Sequence, residues 1–61
     1  MKDKVIKELA HLFRKYRKSE VEKWEKDQQR REYYFTRDFC LKCELLSYEE
    51  IELLEQKEEL N

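Results

Sequence analysis

Glycine and proline are both missing from this 61-residue chain. Glycine supplies the positive-φ positions of tight turns, and proline stops helices. Without either, few sharp reversals are marked, and a glycine-rich phosphate loop or an oxyanion turn has no residues to build it. Histidine occurs once, as His11, and cysteine twice, as Cys40 and Cys43. No run of eighteen apolar residues is present, so no transmembrane helix is expected. The first sixteen residues alternate charge and hydrophobe, unlike the apolar core of a signal peptide. The expected location is cytoplasmic, where the cysteines stay reduced.

What is abundant is charge. Asp, Glu, Lys and Arg make up 48% of the residues, against 39% hydrophobic, which is little for a self-sufficient core. Lys, Glu, Arg, Gln and Leu all favour helix. The chain is therefore expected to be all-α and a single small domain over residues 1–61. A core this small rarely supplies more than about 3–5 kcal/mol, so a partner chain is the expected staple, either a second copy or another protein.

The net charge of −1 conceals a division. Residues 1–31 carry a net +5 and residues 32–61 a net −6. Opposite halves are expected to face each other in an antiparallel pairing, within one chain or between two. The alternative is two separate binding surfaces, one basic and one acidic.

Val5, Ile6, Leu9, Leu12, Phe13 and Tyr16 recur at helical spacing and form one apolar stripe. The stretch from Ser19 to Glu32 is polar, with only Val21 and Trp24 apolar. Ser19 and Glu22 fit a capping box that would start a new helix. Intrahelical pairs such as Glu22–Lys26 favour instead one continuous helix through this point, and that is the expectation here. Residues 33–46 are rich in hydrophobes, with Phe35, Phe39 and Cys43 sharing one face. Ser47 and Glu50 form the clearest capping box, with Leu46 and Ile51 placed for a hydrophobic staple. The expected architecture is a helical hairpin: a long N-terminal helix, a short middle helix over Phe39–Leu46, and a capped C-terminal helix packed back. It is open to oligomerisation.

Catalysis is not expected. There is one imidazole, the serines are better placed as caps, and carboxylates on solvated faces have no cause for perturbed pKa values. A helical chain this short offers no wall for a small-molecule pocket, so neither a substrate of that kind nor a cofactor is expected. Cys40-Leu41-Lys42-Cys43 would supply two zinc ligands where four are needed, and a symmetric dimer would be required to complete the site. The simpler reading is that both cysteines pack as small hydrophobes.

Two candidate interaction sites remain. Trp24 stands alone amid charges, and tryptophan is frequent among interface anchors. Val21, Gln28 and Arg31 are expected to join it in a protein-binding face. Packing of Trp24 onto Phe39 or Leu54 is the competing expectation. Arg14, Lys15, Arg17 and Lys18, with Tyr16 between them, form the candidate nucleic-acid site. The acids that follow dilute its field, and the acidic final helix cannot serve as a recognition helix. Direct membrane binding is not expected from a face only moderately amphipathic. The expected function is a non-enzymatic regulator, inhibitor or adaptor that occupies a partner protein's surface. The alternatives are a nucleic-acid accessory protein and a self-assembling structural helix pair.

Overall fold

The computed structural model describes residues 2–60, and they form three helices and no strand: α1 (Lys2–Lys18), α2 (Lys23–Lys42) and α3 (Tyr48–Leu60). The all-α class and the packing back of a capped final helix are as expected. The division of the chain is different. The helix does not continue through Ser19; residues 19–22 are non-helical and α2 starts after Glu22. The middle helix is correspondingly long and includes Phe39, rather than being a short one over Phe39–Leu46.

The capping box at Ser19 does not form either. Glu22 is the N-cap of α2 and makes no side-chain cap bond. The Ser19 hydroxyl donates instead to Gln29 Oε1 at 2.6 Å, tying the linker to the second turn of α2. Lys26 Nζ donates to the Ser19 carbonyl at 3.4 Å. These two bonds fix a reversal that no glycine or proline marks.

α2 ends in a Schellman turn. The Leu45 amide donates to the Cys40 carbonyl at 2.9 Å and the Glu44 amide to the Leu41 carbonyl at 3.2 Å. Glu44 takes the left-handed position with φ of 56°, where glycine is usual. A Cβ there costs about 1 kcal/mol. Glu44→Gly is accordingly expected to raise stability by up to about 1 kcal/mol, or roughly 4–8 °C in melting midpoint for a domain of this size. A lowered midpoint in a thermal melt would show that the side chain, not the backbone, matters at this turn.

The capping box of α3 forms as read. The Ser47 amide donates to Glu50 Oε1 at 2.9 Å and the Glu50 amide to Ser47 Oγ at 3.2 Å. Leu46 and Ile51 flank it, both buried, as a hydrophobic staple requires. The core is Leu9 and Phe13 from α1, Tyr33 and Cys40 from α2, Leu46, and Ile51 and Leu54 from α3. No polar or charged residue among those described is buried. Phe13, Tyr16, Tyr33 and Tyr34 form an aromatic cluster between α1 and α2, with Phe13 and Tyr33 centroids 5.0 Å apart.

Opposite charges do meet within the chain, but along parallel helices. Lys2 pairs with Glu50 at 3.0 Å, Arg14 with Glu58 at 2.8 Å and Arg17 with Glu59 at 3.7 Å. Early α1 meets early α3 and late α1 meets late α3, so these two helices run in one direction. α2 runs in the other direction, packed chiefly on α1. Within the chain the pairing is parallel rather than antiparallel, because the charge division sets the first helix against the third, not against its neighbour in sequence.

Candidate protein-binding face of the second helix

At 100° per residue, Tyr33 and Cys40 of α2 lie on one side, facing α1 and α3. Trp24, Gln28, Arg31, Phe35 and Phe39 fall at steps of 4, 3, 4 and 4 on the opposite side. All five are exposed. Phe35 is 77% exposed, Trp24 59% and Phe39 53%. Three large aromatics thus line the outward face of one helix, within a surface otherwise dominated by charge. Isolated exposed hydrophobes are ordinary, but an aligned set of this size marks an interaction site in many proteins.

Three of the four residues expected at this face share it: Trp24, Gln28 and Arg31. Val21 does not, because it lies in the 19–22 linker and is only partly exposed. Trp24 does not fold into the core on Phe39 or Leu54. Its indole N–H donates to Glu22 Oε2 at 2.7 Å, which orients the ring at the start of α2. Phe35 and Phe39 are the residues that sequence reasoning placed differently. Their spacing puts them on one face with Cys43, and that face is the outward one. Their spacing of 11 and 15 residues from Trp24 is the signal that finds them, once one helix is known to run through all three.

A second aromatic feature is structural. Arg37 lies over the Tyr34 ring at 5.8 Å and the Tyr48 ring at 5.4 Å, with Glu55 Oε2 at 3.5 Å from its Nε. The Tyr33 hydroxyl donates to the same Glu55 oxygen at 2.5 Å. Burial, then the hydrogen bond to Glu55, raises the Tyr33 pKa far above the ordinary phenol value, so the phenol stays a donor. This group latches α2 to α3.

The candidate nucleic-acid residues are divided. Arg14 is held by a bidentate pair to Glu58, with Nε to Oε2 at 2.9 Å and a terminal nitrogen to Oε1 at 2.8 Å. Arg17 is paired with Glu59 and lies over the Phe13 ring. Lys15 and Lys18 are exposed on the same helix. Arg14 and Arg17 are thus engaged by the acids of α3, and the charge of Lys18 also acts on Glu58.

Hydrogen bonding from Arg14 lowers the Glu58 pKa, and bonding by Ser47, first through its backbone and then joined by Lys2, lowers that of Glu50. A carboxylate with a depressed folded-state pKa contributes stability above its unfolded value, and that contribution is lost as pH falls through the folded one. Stability is therefore expected to be flat near neutrality and to fall below the ordinary carboxylate range. Urea titrations of Arg14→Gln across pH 2–7 should show a shallower acid fall than the parent; an unchanged profile would remove Glu58 from this account.

The cysteines part company. Cys40 is in the core, while Cys43, the C-cap of α2, is exposed, contrary to the expectation that both pack inside. Burial, then the nearby Cys43 charge, raises the Cys40 thiol pKa. Under native conditions a thiol reagent is expected to modify Cys43 rapidly and Cys40 only on unfolding. Equal rates for the two would contradict the packing described. Among the described residues no group of three or more His, Cys, Asp or Glu side chains is placed to hold a metal ion. Nor is any helix among them long and apolar enough to cross a membrane. No family model, no curated protein and no solved structure matches this chain.

Proposed function

We propose that this is a non-enzymatic, stoichiometric protein-binding module, a regulator, inhibitor or adaptor acting in the cytosol through the outward face of α2. The observation that carries the reading is the exposed aromatic line of Trp24, Phe35 and Phe39 on a helix whose other side forms the core. Aromatic anchors dominate the energetics of protein interfaces. The competing reading, nucleic-acid binding through Arg14, Lys15, Arg17 and Lys18 of α1, would require Arg14 and Arg17 to leave Glu58 and Glu59.

The test is capture from the source-cell lysate, with and without nuclease, by the parent protein and by Trp24→Ala. A discrete protein recovered in both nuclease conditions and lost with Trp24→Ala is the expected result. Recovery that disappears with nuclease and ignores Trp24 would overturn the proposal in favour of the basic helix.

A further inference from the structure

The α2 face carries more than aromatics. Asp27, Arg31, Asp38 and Lys42 lie along one flank of the aromatic line. Asp27 with Arg31, and Asp38 with Lys42, stand four residues apart, a spacing at which a helix readily closes ion pairs. Neither pair closes: among the described residues none of the four side chains is in an ion pair. The signs read acid, base, acid, base in one direction and base, acid, base, acid in the other. A twofold axis perpendicular to two such helices sets each flank against the same flank of its copy, running in reverse.

With the axis between Tyr34 and Phe35, Arg31 meets the copy's Asp38 and Asp27 meets the copy's Lys42. All four charges on the flank then find opposite signs. Phe35, the most exposed aromatic of the face, lies within one residue of the axis and meets its own copy. Trp24 comes level with the copy's Leu45, which is 40% exposed just beyond the end of α2. On the other flank Glu32 comes level with the copy's Arg37, and Glu25 with the copy's Glu44 just beyond the end of α2.

We infer that the occupant of this face is a second copy of the chain, paired antiparallel through α2 about an axis at Phe35. This rests on the reading that the outward face of α2 is the binding face, and names what binds there. A single helix pair is a small interface, so the dimer belongs with weak, exchanging associations. It would also provide a partner for a chain with few core residues of its own.

Sedimentation velocity from low to high micromolar concentration tests the inference, with charge-reversed variants checked for helicity by circular dichroism. The parent should show a reversible monomer–dimer equilibrium. Arg31→Asp alone sets acid against Asp38 of the copy, and Asp38→Arg alone sets base against Arg31. Each should weaken association about tenfold or more, because two symmetry-related contacts turn repulsive. An equimolar mixture of the two single variants restores both pairs, so it should form a heterodimer, and the double variant should self-associate like the parent. A parent that stays monomeric, or single variants that dimerise as well as the parent, would overturn the pairing. If the parent is monomeric while Trp24→Ala still abolishes capture of a different protein, the self-pairing fails and the binding face stands. If neither association depends on α2, both fail.

Discussion

Leu9→Ala should leave the chain largely unfolded at 25 °C. Leu9 is fully buried where α1 meets both other helices, among Phe13, Tyr33 and Ile51. Truncating a buried leucine costs about 2–5 kcal/mol from lost transfer energy and the cavity left behind. A domain of this size holds only about 3–5 kcal/mol in total. Far-UV circular dichroism at low concentration, followed by urea titration, reads the outcome. Lys15→Ala, on the exposed side of the same helix, should change stability by less than about 0.5 kcal/mol. A parent-like cooperative transition for Leu9→Ala would mean that the core is not organised around α1.

The second large effect is on binding. Trp24→Ala should cost more than about 2 kcal/mol in affinity for the partner, roughly thirtyfold. Stability should barely change, since Trp24 is exposed and contributes nothing to the core. This separation of effects is what distinguishes an anchor from a packing residue. Calorimetric titration with the captured partner, alongside a thermal melt, measures both. Loss of helicity in Trp24→Ala would place the tryptophan in the folding of α2 instead; intact helicity with unchanged affinity would remove it from the interface.

The features legible in the sequence were those with local physical causes. The α1 stripe was readable because its apolar spacing is helical over about three turns. The start of α3 was readable because Ser47, Glu50, Leu46 and Ile51 complete a cap and a staple within six residues. The break at residues 19–22 was not, because its cause is tertiary. Polar helix formers surround it, and what holds the reversal is Ser19 bonded to Gln29 together with Tyr33 packed on Phe13. The same holds for the turn after α2, where Glu44 accepts a left-handed backbone that sequence preference assigns to glycine. Ending the long helix before Phe39 obscured the outward aromatic face in turn. Trp24 is singled out by its isolation among charges, whereas the sequence assigns Phe35 and Phe39 only to a face shared with Cys43. Only once Tyr33 and Cys40 are seen to occupy the inward side does the outward side gather Trp24, Phe35 and Phe39.

The central claim is that partners meet this protein at the outward face of α2, and the chain carries its own reporter there. Trp24 is its single tryptophan, and it is exposed. The deciding measurement is Trp24 emission recorded as the partner, or further copies of the chain, is titrated in. The dilute protein should show a red-shifted spectrum that moves to shorter wavelength and saturates at a fixed stoichiometry, as the ring loses water. A complex that forms fully, by sedimentation of the same samples, while Trp24 emission stays unchanged would contradict the central claim.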